Sequence, residues 1–598
     1  MLLFKKISIY HILLFTFALS ACTASKQEEK QQSKPNIIFV ITDDQGYGDL
    51  ACLGNPYIKT PTMDKIHSES VRLTDYHVAT TCAPTRSGIL TGRNCNRVGV
   101  WHTVMSRYFL RKDEKTIADI LVENGYQTAM FGKWHLGENY PYRPQDRGFQ
   151  EVLAHGGGGI GQQHDHWNND YFDDTYLHNG VPEKHKGYCT DVWFEHAIKY
   201  IEEHKDKPFF CYLSTNAPHG PYHVAQNYID MYKDNKEIPN PNFYGMITNL
   251  DENLAKLESK LDELGIKDNT ILVFTTDNGT ASGVNIDKDG HVIKGYNAGM
   301  RGKKSYEYDG GHRVPFFIRW KNGELVGGKD ITEITSYNDV MPTLLDLCGV
   351  ELPENTYDGQ SLKPLFEGKA WEERTLITDT QRANFLKKWK RSAVMTNQWR
   401  LIKGEELYDI KKDPGQRVDV ASDNPEVVAK LRAAYEKWWT GVSEGSEGYS
   451  PILIGGKENP AILRSHDWHT PKLPPWHQQH VRKGYVDNGY WYLDVLKAGK
   501  YKITLMRWPE ETGLALNASI EAHENQGGDA YPEGKKIEFV SAKIKIGEQE
   551  LEKKDVDNSL QGISFDVELT EGEQQLQTWT VDTEGVERGM YYVYLEAL

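Results

Sequence analysis

The sequence predicts an α/β fold in which a mostly parallel sheet is flanked by helices, followed by a small α+β subdomain and a C-terminal all-β sandwich. From residue 35 onward, short apolar segments alternate with amphipathic ones, which is typical of a parallel sheet with helices on its faces. Residues 382–442 combine strand-like segments with one helical pattern. Beyond residue 475 the apolar period changes to two, as in Tyr501, Ile503 and Leu505, which is typical of a sandwich.

The N-terminal residues are typical of a processing signal. Lys5 and Lys6 precede an apolar stretch at residues 7–19, which ends in Leu-Ser-Ala-Cys at 19–22 and resembles a bacterial lipobox. We therefore expect residues 1–22 to be a lipoprotein signal peptide, with Cys22 as the lipidated N-terminus, and residues 23–34 to be a flexible tether. The expected location is the bacterial cell envelope, periplasmic or surface-exposed, although a plain secretory signal remains an alternative.

Charge and cysteine content exclude several classes of protein. The 85 acidic and 69 basic residues give a net charge of −16, which argues against nucleic acid as a partner. An anionic substrate would therefore need a local cluster of cations. Of seven cysteines, Cys22 is assigned to lipid and Cys82 to chemistry. The other five form an odd number without a CxxC spacing, so neither a disulfide framework nor a zinc site is expected.

The strand pattern indicates where functional residues should lie. The clearest predicted strands are Asn36–Thr42, 127–131, 208–214, Thr270–Thr276 and 314–319. The clearest predicted helices are residues 116–124, 191–204 and 244–264. The expected divisions are a catalytic domain at 35–380, its C-terminal subdomain at 381–442, a linker at 443–480 and the sandwich at 481–598. In such sheets, ligands bind at the carboxyl ends of the strands.

Polar residues follow two of these strands directly. Asp43 and Asp44 come after Asn36–Thr42, and Asp277 and Asn278 come after Thr270–Thr276. Carboxylate and amide oxygens are the ligands that calcium and magnesium prefer. Either pair alone is also compatible with an ordinary turn. Together they make a metal site the more specific hypothesis.

The segment that starts at Cys82 is the most informative motif. It reads Cys-Ala-Pro-Thr-Arg-Ser-Gly-Ile-Leu-Thr-Gly-Arg at 82–93. This pattern resembles the signature of the formylglycine-dependent sulfatases, which belong to the alkaline phosphatase superfamily. A buried structural cysteine beside a proline turn would be the default reading of a shorter match.

Further motifs agree with this resemblance and follow the order of the family. They are Gly-Lys-Trp-His-Leu-Gly at 132–137, Pro-His-Gly-Pro at 218–221, Asp-Gly-Gly-His-Arg-Val-Pro at 309–315, Pro-Thr-Leu-Leu-Asp at 342–346 and Glu-Leu-Tyr-Asp at 406–409. Counting back from residue 309 matches Lys304, and not Lys303, to the lysine of the family. The resemblance covers residues 35–442 and implies an alkaline-phosphatase-like fold.

The resemblance also implies a set of roles. Cys82 would be oxidised by a sulfatase-maturing enzyme to formylglycine (3-oxoalanine), whose hydrate attacks sulfur. The metal, Ca²⁺ or alternatively Mg²⁺, would be bound by Asp43, Asp44, Asp277, Asn278 and the modified residue 82. Arg86 and Lys133 would fix the nucleophile, while Lys304 and His219 would bind the sulfate and one of them would protonate the departing oxygen. His135 would take the proton from the remaining hydroxyl.

The expected substrate is a sulfated carbohydrate attacked from a chain end, either a host glycosaminoglycan or mucin or an algal glycan. Candidate sugar contacts are Trp101, His102, Arg382 and Lys387, because such contacts come from loops. The glycine run at 156–161 opens no helix, so we interpret it as a mobile loop and not as a dinucleotide motif. Two alternatives remain: a phosphomonoester or phosphonate hydrolase of the same superfamily, and a non-catalytic glycan-binding lipoprotein.

Overall fold

The structure is a computed structural model, which describes residues 34–446 and 448–598. The predicted signal peptide, the lipidation site Cys22 and tether residues 23–33 lie outside the described residues. Among the residues that the structure describes, no helix combines the length and the apolar character needed to cross a membrane.

A ten-stranded sheet forms the centre of the molecule. Its middle five strands are parallel, and the neighbours at both edges include antiparallel pairs. In spatial order the strands are Asp330–Ile331, Val71–Leu73, Phe316–Arg319, Thr270–Thr276, Asn36–Thr42, Phe209–Ser214, Gln127–Lys133, Glu151–His155, Thr175–His178 and Val181–Lys184. The predicted α/β class is confirmed, although the strand at 316–319 runs antiparallel to its neighbour Thr270–Thr276.

Alternate residues of the central strand Asn36–Thr42 enter two different hydrophobic cores. Ile37 and Phe39 belong to one core, and Ile38 and Val40 belong to the other. Side chains of a strand point alternately to opposite faces, so this sheet is covered on both sides. That burial explains why the strand reads as a continuous apolar run.

Helices cover both faces of this sheet. Residues of Pro61–Glu69, Cys189–His204 and Pro241–Glu263 enter one core, while residues of Cys82–Thr91 and Ile117–Glu123 enter the other. Three of these correspond, within a few residues, to the predicted helices at 116–124, 191–204 and 244–264. The remaining helices are Gln226–Asp230, Asp309–His312, Val340–Leu347, Lys363–Phe366, Pro425–Ser443 and Gln478–Lys483.

A small α+β unit follows the central sheet. Its four antiparallel strands are Leu376–Asp379, Ser392–Met395, Trp399–Ile402 and Glu406–Asp409. Leu431 and Tyr435 of helix Pro425–Ser443 pack against Val394 and Leu401 of this sheet. The first strand lies before residue 381, where the subdomain was predicted to begin. Four residues with a weak apolar pattern do not indicate that this strand pairs with Ser392–Met395.

Two sheets make up the C-terminal sandwich, and they are antiparallel except where Ile452–Ile454 pairs in parallel with Tyr490–Val495. One contains Ile452–Ile454, Tyr490–Val495, Gly572–Asp582, Phe539–Ile546, Gln549–Lys554 and Glu587–Arg588, and the other contains Ala461–Arg464, Tyr592–Ala597, Gly499–Met506 and Gly562–Leu569. Strands 452–454 and 461–464 lie in the segment that the sequence analysis assigned to a linker. That segment is therefore part of the sandwich, and it also packs on the catalytic domain.

Smaller strand pairs complete the fold. Val284–Ile286 pairs with Val292–Gly295, and Tyr76–His77 pairs with Thr335–Ser336. All six cysteines of the described residues carry free thiols.

Candidate active site

The strand register brings the two predicted pairs of metal ligands together. Strands Asn36–Thr42 and Thr270–Thr276 are parallel neighbours with Thr42 opposite Thr276. The residues that follow them therefore leave the sheet at the same edge. The backbone N–H of Asp44 donates to Asp277 Oδ1 at 3.1 Å, and Asn278 Nδ2 donates to Asp44 Oδ1 at 2.9 Å.

These four side chains form a buried cluster of oxygen atoms beside Cys82. Asp43, Asp277 and Asn278 are fully buried, and Asp44 is 2% exposed. One ligand atom each from Asp43, Cys82 and Asp277 lies within 4.8 Å of the others. This is the spacing that a single cation bound by several ligands requires.

Two buried oxygen atoms of the cluster are free to bind a divalent cation. Asp43 Oδ1 and Asn278 Oδ1 are buried but have no hydrogen-bond partner among the described residues. Burial raises the pKa of the Asp277 carboxyl to about 7, with Asp43 adding to the shift. Buried oxygens without a partner are costly unless a donor or a cation compensates them. The donor set, all oxygen apart from residue 82, suits Ca²⁺ or Mg²⁺.

Cys82 is the first residue of a helix that is buried at every position, Cys82–Thr91. Its Sγ lies 3.3 Å from His135 Nδ1. Burial raises the pKa of the Cys82 thiol. Unmodified Cys82 would therefore be largely protonated near neutral pH and a poor nucleophile.

Arg86 lies one helical turn after Cys82 and connects the helix to the carboxylate cluster. Its Nη2 donates to Asp277 Oδ2 at 2.8 Å, and Nε donates to the same oxygen at 3.0 Å. Nη1 donates to the carbonyl oxygen of Lys133 and to Ser214 Oγ. Since Arg86 and Asp277 are both fully buried, this pair fixes the position of the Asp277 carboxylate.

Lys133 supplies a second buried cation at the end of strand Gln127–Lys133. Its Nζ donates to Asp43 Oδ2 at 2.6 Å, and neither side chain is exposed. Burial raises the pKa of Asp43 although the charge of Lys133 opposes that shift. The lysine therefore partly compensates the cluster and leaves the other oxygen of Asp43 free.

Two residues of the site have left-handed backbone conformations that non-glycine residues rarely adopt. The φ angle is 70° at Asp44 and 59° at His135. Such strain persists where surrounding contacts hold the residue, and it concentrates at functional sites. At His135 the conformation places the ring between Cys82 and the carbonyl oxygen of Thr103, to which Nε2 donates at 3.0 Å.

The hydrogen bond from Nε2 defines the state of His135. Since a carbonyl oxygen only accepts, Nε2 carries the proton and Nδ1, facing Cys82, is an acceptor. Burial and the nearby Lys133 hold the pKa of His135 well below its ordinary value. His135 is therefore neutral near pH 7 and can accept a proton at Nδ1.

Lys304 and His219 approach the cluster from the other side, through Asp44. Lys304 Nζ lies 2.5 Å from Asp44 Oδ1, and His219 Nε2 lies 3.7 Å from Asp44 Oδ2. Burial alone would lower the pKa of Lys304, but the Asp44 carboxylate raises it above its ordinary value. Burial lowers the pKa of His219 to about 3. Lys304 thus provides a permanent positive charge.

A cavity of about 130 Å³ opens above Cys82. Among its lining residues are Cys82, His135, His219 and Lys304. Although the net charge of the protein is −16, lysine, arginine and histidine side chains surround Cys82 in this cavity. This arrangement suits a small anionic group with a charge-neutralised reaction centre.

The sequence matches the family described as "Sulfatase" over residues 35–350, which is more than half of the chain. The chain belongs to the sulfatase family. Residues 301–438 also match the family described as "N-sulphoglucosamine sulphohydrolase, C-terminal". This sulfatase is therefore a sulfuric ester hydrolase of the formylglycine type within the alkaline phosphatase superfamily. The family and the class of enzyme that the motif at Cys82 predicted are therefore confirmed.

Individual relatives agree with this assignment. The sulfatase is 30% identical to an arylsulfatase of Hemicentrotus pulcherrimus over 378 residues, which cover 59% of the chain and 65% of that protein, just under two thirds. It is 27% identical to the N-acetylgalactosamine-6-O-sulfatase of Bacteroides thetaiotaomicron over 522 residues, covering 70% and 96%. The crystal structure of Ps i-CgsB in complex with k-i-k-neocarrahexaose is similar with a TM-score of 0.61 and 26% identity, covering 69% of this chain and 94% of that one.

The four candidate sugar contacts lie in different environments. Arg382 lines the cavity above Cys82. Trp101 and His102 are both 2% exposed and do not line that cavity. The indole N–H of Trp101 donates to the Ala383 carbonyl at 3.0 Å. Lys387 is exposed and does not line it either. Thr103 and Val104, next in sequence to the buried pair, line the cavity instead.

Two further segments that no motif indicated also line the cavity. One segment is the glycine loop at 156–161, which is buried, with Gly158 packed against His135 and Gly159 against His219. Gly158 and the adjacent Gln162 line the cavity. Leu473 and Trp476 come from the supposed linker. A tryptophan inside a proline-rich stretch was the available signal, because linkers rarely need large aromatic side chains.

Proposed function

We propose that this sulfatase removes sulfate from carbohydrates, acting on chain ends, after Cys82 has been converted to formylglycine. A Ca²⁺ ion would be held by Asp43, Asp44, Asp277, Asn278 and the modified residue 82. The observation that carries this proposal is the convergence of ligand atoms from Asp43, Asp277 and Cys82 within 4.8 Å, directly under a cationic cavity.

The hydrated aldehyde at residue 82 and the metal ion would supply chemistry that the unmodified side chains cannot. When present, the hydrated aldehyde provides a nucleophilic oxygen and the cation lowers its pKa. The protein holds both in place. Arg86 and Lys133 fix Asp277 and Asp43 through buried charge-assisted hydrogen bonds, so the carboxylates keep one arrangement while the substrate enters.

Lys304 and His219 are placed to bind the sulfate group. Both line the cavity, and both face Asp44 at its edge. The Lys304 ammonium would neutralise sulfate oxygens. His219 donates through Nδ1 to the Gly220 carbonyl at 2.6 Å, which leaves Nε2 to face the substrate. Since neutral His219 keeps its proton on Nδ1, Nε2 can only accept a hydrogen bond, and Lys304 is the residue placed to protonate the departing sugar oxygen.

His135 is placed to act as a base at residue 82. Its acceptor nitrogen Nδ1 is the ring atom nearest to Sγ, and its depressed pKa keeps it neutral. It would therefore take a proton from the hydroxyl that remains after sulfuryl transfer. The oriented hydrogen bond to Thr103 keeps the ring in this position.

A carbohydrate substrate is supported by the shape of the site and by the relatives. The cavity over Cys82 is small, which suits a single sulfate-bearing unit at a chain end, and it opens into a larger cavity of about 480 Å³. The Bacteroides relative is named for a sulfated amino sugar, and the similar crystal structure holds k-i-k-neocarrahexaose. Lipid anchoring through Cys22 in a bacterial envelope stays part of the proposal and rests on residues 1–22 alone.

Maturation and turnover can be tested together. The enzyme is produced with and without a sulfatase-maturing enzyme, and the peptide containing Cys82 is examined by mass spectrometry for replacement of the thiol by an aldehyde. We expect hydrolysis of 4-nitrophenyl sulfate only by the converted protein, and none by Cys82→Ala. Cys348→Ala, in a core cysteine away from the cavity, is the matched control and should retain activity.

Other outcomes would overturn the proposal. Preferred turnover of 4-nitrophenyl phosphate would identify a phosphomonoesterase. Unchanged glycan affinity in Cys82→Ala, without turnover of any sulfate ester by the converted protein, would identify a binding protein. Screening defined sulfated mono- and oligosaccharides then identifies the sugar.

A further inference from the structure

A second cavity continues outward from the pocket over Cys82. It measures about 480 Å³ and shares Gln162, His219, Lys304 and Trp476 with that pocket. Its outer part is lined by Trp476, His477, Gln479, His480 and Lys483 on one side and by Gly220, Pro221 and Tyr222 among others. The residues at 476–483 belong to the C-terminal part of the chain, so the reaction pocket opens directly onto that part.

The segment at 476–483 is firmly attached to the catalytic domain. The N–H of Gln163 donates to the Trp476 carbonyl at 3.2 Å, and the N–H of Gln478 donates to the Gly161 carbonyl at 3.0 Å. Gln478 is fully buried, and its Nε2 lies 3.1 Å from the carbonyl oxygens of residues 162, 165 and 166. Contacts of this kind hold side chains in place before a ligand arrives, which reduces the entropy lost on binding.

The chemical character of this cavity is cationic and donor-rich. Its lining contains two lysines and three histidines, and the single acid, Asp44, is already paired with Lys304. Lys483 is exposed and forms no ion pair among the residues that the structure describes. Within an acidic protein, such a concentration of cations favours an anionic ligand.

The two outer histidines are oriented as hydrogen-bond donors. His480 Nδ1 accepts the N–H of His477 at 3.1 Å, and His477 Nδ1 accepts the N–H of Gln479 at 3.1 Å. In each neutral ring the proton therefore lies on Nε2, which can donate to a hydroxyl or an anionic oxygen. Trp476 is partly exposed beside both rings, at 5.4 Å between centroids, and offers an aromatic surface to a sugar ring.

We propose that Trp476, His480 and Lys483 form a subsite for the sugar next to the one that loses sulfate, and that this subsite selects a neighbour carrying an anionic substituent. The inference rests on the proposed function, because it takes the pocket over Cys82 as the place of reaction. Trp476 packs on the neighbouring ring, while Lys483 and His480 bind its carboxylate or sulfate. The C-terminal part of the chain thereby determines which oligosaccharides are accepted.

The test compares Lys483→Gln with Lys472→Gln in the converted enzyme. Lys472 is an exposed lysine of the same segment that does not line the cavity, so it is the matched control. The substrates are 4-nitrophenyl sulfate and sulfated disaccharides whose second unit carries a carboxylate, a second sulfate or neither. We expect Lys483→Gln to lower the ratio of kcat/KM between acidic and neutral disaccharides about tenfold, mainly through KM. The carboxylate and sulfate arms show which anion is preferred.

Trp476→Ala provides a second readout. It should lower kcat/KM for all disaccharides more than for 4-nitrophenyl sulfate, since only a disaccharide has a second sugar ring to pack on Trp476. Equal effects of either variant on every substrate, or no effect on any, would overturn the subsite. If the wild type turns over no sulfate ester, disaccharide binding to Cys82→Ala is measured with and without Lys483→Gln. A selective loss of affinity there would keep the subsite while rejecting the proposed reaction.

Discussion

A Cβ atom on Gly158 would lie 2.3 Å from Cε1 of the His135 ring. This separation is too short for any side chain, so residue 158 has to be glycine if His135 is to keep its place beside Cys82. We expect Gly158→Ala to displace the ring and to lower kcat about 10²-fold, as displacements of about 1 Å do at catalytic groups. Hydrolysis of 4-nitrophenyl sulfate by the converted enzyme measures this loss.

Gly441→Ala is the matched control for that substitution. A Cβ there would meet only Arg97 Nη2, at 3.6 Å, and the residue lies in helix Pro425–Ser443. Its activity should equal that of the wild type. If Gly158→Ala were equally active, the packing of the glycine loop on His135 would not matter for catalysis.

Adjacent lysines allow a test of which cation binds sulfate. Lys304 lines the cavity and contacts Asp44, whereas Lys303 is not among the residues around the cavity. We expect Lys304→Ala to lower kcat/KM for 4-nitrophenyl sulfate by roughly 10²–10³, because a fixed charge at the transition state is lost. Lys303→Ala should change it less than twofold. The opposite ranking would show that counting back from residue 309 chose the wrong lysine.

Calcium should stabilise the folded protein through the carboxylate cluster. After chelation, adding Ca²⁺ at about 100 times its dissociation constant should stabilise the native state by about 2.7 kcal/mol, visible as a higher melting temperature. Asn278→Ala removes an otherwise unpaired buried oxygen and should weaken this response. Asn253→Ala, an equally buried asparagine of helix Pro241–Glu263, should keep it in full. An identical response in both variants would exclude Asn278 as a ligand.

Asp49 should make stability depend on pH. It is fully buried and accepts the N–H of Gly46 at 2.8 Å, and burial raises its pKa to about 7. Because the native state keeps a proton that the unfolded chain releases near pH 4, stability falls as pH rises from about 4 to about 7. Asp49→Asn removes this effect, so its advantage over the wild type should grow to the order of a few kcal/mol by pH 8.

Melting temperatures at pH 5 and pH 8 measure that difference. Asp206→Asn, at a side chain that is 86% exposed, is the control and should show the same small difference at both values. An advantage of Asp49→Asn that does not change with pH would mean that Asp49 is ionised throughout.

The central part of the candidate site could be predicted, because its candidate metal ligands follow strands directly. Asp43 and Asp277 could be placed from strand pattern alone, since parallel strands end at one edge of a sheet. The cavity around them could not be predicted from the strand pattern. Trp476 reaches it through hydrogen bonds between backbone groups hundreds of residues apart, and no local pattern encodes such contacts. Trp101 shows the same limit, because a loop tryptophan can be buried by a neighbouring loop.

The short strands at 452–454 and 461–464 were missed for a related reason. Ile452–Ile454 has only three residues, too few to show a period of two, and it is stabilised by pairing with Tyr490–Val495. Composition rich in glycine and proline suggested a linker, but the long-range pairing decides the structure.

If Cys82 is converted to formylglycine, the complete burial of helix Cys82–Thr91 would set an order of events in biosynthesis. Cys82 is 2% exposed, so a modifying enzyme would have to reach it before the chain folds. Conversion of Cys82 and folding of the chain would then compete, because Cys82 could be converted only until the chain has folded. The central sheet joins strands from distant parts of the chain, and such topologies fold slowly. Substitutions that accelerate folding would thus reduce the fraction of active molecules while leaving the yield of folded protein unchanged.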